Sequence, residues 1–590
     1  MKTQLELLES VLTPEDARML RRVYAPQAVA VPAMDTRCAI CVMPDGELRS
    51  YGFEDKKNHA DCGRLVYLSS YDCGLSWKKR EGGEALTHGS ALRSPYSGRY
   101  VSIVGDTSTT GLDGRRILQG QGICAVLSGS PASEEFTVRP ITQENVRDMY
   151  LPIALTHRKR LVCAAHLRTK EGYWPVSLLS DDDGETWSMR VLESAPCHAV
   201  NWPHKGLRWQ NPAAEPTIVE RNDGTLWMLA RTSQDVFYQY ASMDGGDTWS
   251  TPTPSFFHGT LTSPALLRLS DGRLLCFWCN TQPLPELDHT KQWPPLREGE
   301  ITGQGGEDVF TNRDANHAAI SEDDGRTWKG FREIGLNEIR NASDFRTRGA
   351  NNDTLDKSVH QFQAVELPFG KVLLSYGQHP ASRRMVLFDP AWLYENERHE
   401  DFREGLDRLS TQVYVQSVSG NFRGFSGHCA WNRTHGALLV PDPDGNFEEA
   451  LLLSRIRDPR LFSEVQGAVW NFPAAHSGEL ALRLRVEGRG LRVSLTDRWF
   501  NPIDTTVAYL AHCSVMITAD MIPPGVWSDV RLVWEEGTRS VRVLCGDACL
   551  FTAPLHGDMP HGLSYAHLQT MAQSEDPTGA LVKKLSMRTL

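Results

Sequence analysis

The eight-residue pattern S-x-D-x-G-x-[S/T]-W occurs four times in this chain, and it limits the fold more than any other feature. It reads SYDCGLSW at 70–77, SDDDGETW at 180–187, SMDGGDTW at 242–249 and SEDDGRTW at 321–328. Each copy follows a β-rich run. The Asp side chain can accept hydrogen bonds from turn amides. The Gly supplies a backbone conformation that other residues resist. The Trp packs between neighbouring sheets and carries most of the buried area. One turn recurring after successive strand runs predicts repeated four-stranded sheets, as in a β-propeller. The octets sit on outer turns and are read as structural, with no chemistry of their own.

Residues 211–249, NPAAEPTIVERNDGTLWMLARTSQDVFYQYASMDGGDTW, read as one complete blade. EPTIVE alternates as an inner strand. Asp223-Gly224 turns the chain. LWMLAR returns as a second strand ending on Arg231, FYQYAS is a third, and the octet closes the blade. Other blades are expected at 33–80, at 81–145 with a degenerate or missing octet, and at 146–200. A fifth starts at LTSPALLRLSDGRLLCFWCN, ends in SEDDGRTW and holds a long insertion between its strands. A sixth starts at HQFQAVELPFGKVLLSYG. Residues 3–23 have helical spacing, with Thr13-Pro14-Glu15-Asp16 as a start signal. Beyond residue 410 there are no further octets. ELALRLRVEGRGLRVSLTD and VWSDVRLVWEEGTRSVRVLCGDACLF alternate cleanly, as antiparallel strands of a sandwich do. The expected fold is therefore all-β: a short N-terminal helical segment (1–30), a six-bladed propeller (31–410) and a C-terminal lectin-like or laminin-G-like β-sandwich (411–590).

Composition narrows the partners. The 590 residues carry a net charge of -11, which argues against phosphate-driven nucleic-acid binding. A local Arg cluster can still attract an anionic sugar. No apolar span is long enough for a membrane helix, and MKTQLELLESVL is too polar for a signal peptide. Compartment and oligomeric state stay open. The 13 cysteines are read as mostly reduced and strand-buried, as in CAICV and LLCFWC, rather than as metal ligands. Neither cofactor nor metal is expected.

In a propeller the inner strands converge on the ligand. Arg37 starts an inner strand, Arg231 ends a strand of the fourth blade, and Arg313 precedes NHAAI before the last octet. Three guanidinium groups at such places can grip a carboxylate through charge-assisted, partly bidentate bonds. At this point the chain resembles the sialidase (neuraminidase) superfamily, whose Asp-box the octets match. Glu215 stands sixteen residues before Arg231 across the Asp223-Gly224 turn, as in that family. Arg37 in DTRCAICVMPDG and Arg313 before SEDDGRTW match its other two arginines. The family's Phe/Tyr-Arg-Ile-Pro is Thr-Arg-Cys-Ala here. The likeness spans roughly residues 30–400. It implies hydrolysis of a terminal sialic acid, or a related nonulosonic acid, from a sialylated glycan. Arg37, Arg231 and Arg313 would hold the carboxylate.

The resemblance also exposes a departure. The family's nucleophilic Tyr, at the start of the sixth-blade strand, falls on Gln361, or on His360 with a one-residue slip. Tyr376 ends the next strand and is a poor substitute. Glu215, His360 and Gln361 would then orient a water for direct, inverting attack. The general acid implied by the family lies in GFEDKKNHADCGR, where Asp61 ranks above Asp55, with His59 third. Asp344, Asp353 and Asp356 are further candidates for a base. The competing readings are another glycosidase or a lyase acting on an acidic sugar, and a non-catalytic sialoglycan-binding propeller.

Overall fold

The computed structural model describes residues 11–13, 16, 25–32, 40–54, 64–81, 91–105, 122–130, 135–147, 151–199, 212–284, 313–334, 359–377, 384–414, 433–461 and 463–590. Of the expected N-terminal helical segment these include little more than its cap. Thr13 Oγ1 accepts from the Asp16 amide at 3.2 Å and donates to its carboxylate at 2.6 Å. That is the reciprocal bonding expected at a helix start.

Six antiparallel sheets follow one another along the chain. The first holds Ile40–Val42, Leu48–Glu54, Arg64–Ser70 and Lys78–Glu81. The second holds Leu92–Arg93, Tyr100–Gly105, Ile123–Ser128 and Phe136–Thr142. In the third, Val146–Arg147 and Ile153–Ala154 both pair with Leu161–Arg168, which is followed by Tyr173–Ser180 and Ser188–Val191. The fourth holds Ala214–Glu220, Leu226–Arg231, Val236–Ser242 and Thr253–His258. The fifth holds Ala265–Arg268, Leu274–Trp278, His317–Ser321 and Lys329–Glu333. The sixth takes Gln363–Glu366, Val372–Tyr376 and Arg384–Phe388, and its fourth strand is Gln27–Val29 from the start of the chain.

In the fourth sheet the octet does not end the unit. It is the turn between the third and fourth strands, and Thr253–His258 follows it.

The octets explain how the sheets stack. In 70–77, Ser70 Oγ donates to Asp72 at 2.8 Å and accepts from the Gly74 amide at 2.9 Å. Asp72 also accepts from the amide and hydroxyl of Ser76, at 2.9 and 2.5 Å. Trp77 Nε1 donates to the Gly74 carbonyl at 3.0 Å. The same five bonds recur in the other three copies. The fourth position is left-handed in every copy: Cys73, Asp183, Gly245 and Asp324 all have positive φ.

The octet glycine lies against the preceding sheet, with no room for a side chain. A Cβ on Gly184 would reach Leu127 of the second sheet at 2.9 Å. One on Gly246 would reach Leu179 of the third, and one on Gly325 would reach Trp227 of the fourth. Gly74 of the first sheet would meet Leu373 of the sixth at 2.8 Å. Buried clusters repeat this order. Leu48, Val66 and Trp77 of the first sheet share a core with Leu373 and Leu387 of the sixth. Four further cores join the second sheet to the third, the third to the fourth, the fourth to the fifth and the fifth to the sixth.

Downstream lie two larger sheets. One runs Leu438–Pro441, Glu449–Arg455, Asp576–Thr589, Ser477–Val486, Ser528–Glu535, Ser540–Cys545 and Ala548–Pro554, with Glu397–Glu400 also pairing to Asp576–Thr589. The other runs Leu409–Ser410, Gly467–Ala475, Leu563–Thr570, Leu491–Thr496 and Cys513–Ile517. Ser477–Val486 buries every second residue, so one face of its sheet meets the other sheet in a core that includes Trp470, Phe472, Leu482, Val493, Trp534 and Leu568. Strands Glu397–Glu400 and Leu409–Ser410 already belong to these sheets.

Cys276 and Cys279 have the spacing of a metal-binding pair but lie in or beside a strand. Cys276 faces the core shared with the fourth sheet, Cys279 the core shared with the sixth. Burial pushes both thiols well up. The described cysteines are free thiols. Among the described residues no helix is long and apolar enough to cross a membrane.

Candidate functional site

The hairpin 214–231 supplies the first pair. Asp223 and Gly224 turn the chain, and the antiparallel register brings Ala214 opposite Arg231. The register of Thr217 with Leu229, continued, would set position 215 opposite Arg231, the spacing of sixteen, but a shift puts Ala214 there instead. The register shifts between Ala214 and Thr217, a bulge, and Glu215 there takes φ +43°. A non-glycine residue in that region costs about 1–3 kcal/mol and persists only where its surroundings impose it. Here the surroundings are visible. The Glu215 amide donates to His166 Nδ1 at 3.3 Å, from a strand of the third sheet. Its carboxylate accepts from Arg231 Nη1 at 2.9 Å. Glu215 is 9% and Arg231 5% exposed, so the pair is screened little by water.

A short segment joins this pair to Arg313. The Leu261 amide donates to the Thr232 carbonyl, next to Arg231, at 3.0 Å. The Leu261 carbonyl accepts from Arg313 Nη2. Leu261 is fully buried at φ +51°, a second strained residue. The Arg313 carbonyl in turn accepts from the Val359 amide at 2.9 Å, and the His360 carbonyl accepts from the Gly377 amide at 2.8 Å. His360 is 1% exposed. Gln361, half-buried, has φ +67°, and its Nε2 lies 3.5 Å from His360 Nε2. Three positive-φ residues, Glu215, Leu261 and Gln361, thus lie along one connected path. Such clustering is typical of functional sites.

Hydrogen bonds thus join Glu215 directly to Arg231 and lead on, through Thr232, Leu261 and Val359, to Arg313 and the segment of His360 and Gln361. Arg37, Asp55, His59, Asp61, Asp344, Asp353 and Asp356 lie outside the described residues. Tyr376 is wholly buried in the core between the fifth and sixth sheets. Among the described residues no group of three His, Cys, Asp or Glu could hold a metal ion.

Sequence reasoning missed three contributors. His166 sits in LVCAAHLR, where a lone His in an apolar strand reads as core. Leu261 had no signal, because its role is a backbone conformation. Asp314, directly after Arg313, is 1% exposed and paired with Arg433 at 2.6 Å, and nothing near 433 in the sequence points back to 314. Chemically, the arrangement offers guanidinium donors, a buried carboxylate and an imidazole–amide pair.

A model of the BNR repeat-like domain matches residues 150–334, the stretch that holds the third sheet except Val146–Arg147, the fourth and fifth sheets, and three of the four octets. No curated protein matches the chain. Solved structures similar to it include a sialidase of Trypanosoma rangeli in complex with 2,3-difluorosialic acid, at 11% identity over 96% of this chain and 94% of that one, with a TM-score of 0.35. The intramolecular trans-sialidase of Ruminococcus gnavus is 12% identical over 60% of this chain and 94% of its own, with a TM-score of 0.35. A variant of the NanB sialidase of Streptococcus pneumoniae is 13% identical over 62% and 69%, with a TM-score of 0.37. At these scores the likenesses locate no residue of the site. Residues 150–334 are thus similar to the BNR repeat-like domain.

Proposed function

We propose that the chain is an exo-sialidase that hydrolyses a terminal sialic acid, or a related nonulosonic acid, from a glycan. The observation that carries this reading is the buried Glu215–Arg231 pair at a bulged, positive-φ strand start, linked through Leu261 to Arg313. In this reading the six sheets are the blades of a propeller. Its support is the stacking order, in which the octet glycine of the first sheet meets the sixth. The two downstream sheets are a lectin-like sandwich. The expected bounds at 30 and 410 shift with the sheets: Gln27–Val29 completes the sixth blade, and the downstream sheets take strands from Glu397 onward.

Arg231 and Arg313, with Arg37, bind the substrate carboxylate. A carboxylate nucleophile would be repelled by that group, and the usual neutral alternative, a tyrosine, is replaced here by His360-Gln361. Glu215, His360 and Gln361 orient a water that attacks the anomeric carbon from the face opposite the aglycone. The C–O bond to the leaving group breaks. The water's proton passes to the Glu215 carboxylate, and Asp61 protonates the leaving oxygen. The product is the free sugar with inverted configuration.

The test is turnover of sialyllactose by the native chain, Glu215→Gln and Arg231→Leu. Glu215→Gln keeps an acceptor for Arg231 but loses the charge, and turnover should fall about 10²–10⁴-fold. Turnover by Glu215→Gln equal to the native rate would remove the role assigned to Glu215. Saturable binding without turnover by the native chain would favour a glycan-binding propeller. A product absorbing in the near ultraviolet would identify a lyase.

A further inference from the structure

The neighbour of Arg313 points the other way. Residues 313–317 are each at most 1% exposed, and their partners come largely from beyond residue 410. Asp314 Oδ1 accepts from Arg433 Nη2 at 2.6 Å, and its Oδ2 accepts from the Tyr414 hydroxyl at 3.1 Å. The Tyr414 hydroxyl accepts in turn from Asn501 Nδ2 at 2.9 Å. Tyr414 and Arg433 face each other across the short pair Val413–Tyr414 and Arg433–Thr434. Ala315 packs with Val469, Trp499 and Tyr565. The His317 ring bonds to the Tyr565 hydroxyl, which donates to Glu333 at 2.9 Å. Arg313 itself reaches to Leu261 and receives Val359.

We propose that Asp314, Tyr414 and Arg433 are positioning residues for Arg313, so that the C-terminal two-sheet module is part of the ligand site rather than an appendage. The proposal rests on reading Arg313 as a ligand-binding residue. The physical reason is leverage across one peptide unit. A buried carboxylate that accepts a guanidinium and a phenol has one place to sit, because any displacement leaves a charge unpaired in a medium that cannot solvate it. Fixing Asp314 fixes the backbone of Arg313. That backbone carries the Val359 amide bond, and so the approach to His360 and Gln361. A site held to within about half an ångström needs such supporting contacts.

The test uses the full chain with Arg433→Met, Arg433→Lys and the milder Tyr414→Phe. Hydrogen exchange is followed in peptides spanning 313–334 and 359–366, with 226–231 as the internal control. Arg433→Met should speed exchange at Val359 and in 313–317 by ~10-fold or more while 226–231 stays protected, and Arg433→Lys should recover part of the protection. If Arg433→Met does not fold, Tyr414→Phe carries the same comparison with a smaller rise. Unchanged exchange at Val359, or an equal rise at 226–231, would overturn the inference. With sialyllactose, the same variants should raise KM by ~10-fold and change kcat by less than ~3-fold. Loss of kcat alone in Tyr414→Phe would make Tyr414 a reacting group and contradict the positioning role. A native chain that neither binds nor turns over sialyllactose removes the proposed function, and the exchange comparison still decides whether the module holds Arg313.

Discussion

Glu215 is the residue on which most depends. Its backbone is held by His166, its carboxylate by Arg231, and its φ is one that side chains rarely adopt. Removing Arg231 would leave a buried carboxylate without its guanidinium. Arg231→Leu should therefore lower stability by about 3–5 kcal/mol as well as abolish turnover. Glu215→Gln should cost far less stability, and urea unfolding of both variants gives the comparison. Equal midpoints would show that the pair carries no such coupling. The two members of this pair were legible through the family resemblance, which implies a Glu sixteen residues before this Arg across the Asp223-Gly224 turn. The bulge that aims Glu215 and the imidazole that receives its amide were not. Backbone conformation at a single residue leaves no trace in composition or periodicity.

The octets show the opposite balance. Their repeat was plain in the sequence, and the structure repeats each bond four times. What the sequence reading misplaced was their position, between the third and fourth strands rather than at the end of the unit. A turn motif identifies a turn but does not say how many strands follow. Their aspartates carry a pH signature. Burial disfavours the Asp244 carboxylate, but bonds from Thr248 and Ser242 outweigh it and hold its pKa at about 2. Asp72, Asp182 and Asp323 are likewise lowered, by bonds from Ser76, Thr186 and Thr327. These groups are lower when folded than when unfolded, near 3.9. The stability they contribute is present above pH ~4 and is lost as pH falls toward ~2. Asp244→Asn should show a shallower decline of urea midpoint over that window than the native chain. An identical slope would mean that these turns do not feel the titration.

At the scale of the whole molecule, the sequence did not show how the six sheets join the two downstream ones. The Trp499 amide donates to the Asn280 carbonyl at 2.9 Å and the Trp499 carbonyl accepts from the Gln282 amide at 2.8 Å, a parallel bridge between Thr281 and Trp499. Asp497 sits fully buried among Arg498 at 2.6 Å, His512 at 3.2 Å and His258 at 3.5 Å. Burial opposes the Asp497 charge, yet these groups hold its pKa well below the usual carboxylate range. Burial also lowers His258, and lowers His561 and His567 to about 4. His561 and His567 are neutral when folded but protonate near 6.5 when unfolded, so the stability they contribute is full above pH ~6.5 and falls between pH ~6.5 and ~4. Thermal unfolding at pH 7.5 should be one transition, with tryptophan fluorescence and far-ultraviolet circular dichroism coinciding. Its midpoint should drop across that window. Two separated transitions would mean that the modules unfold independently.

Proton NMR of sialyllactose with the native chain, read from the first minutes, tests the direct attack by water. Attack by a water held by Glu215, His360 and Gln361 predicts that β-sialic acid appears first and the α-anomer grows in later by mutarotation. Release of the α-anomer first, or no release at all, would contradict it.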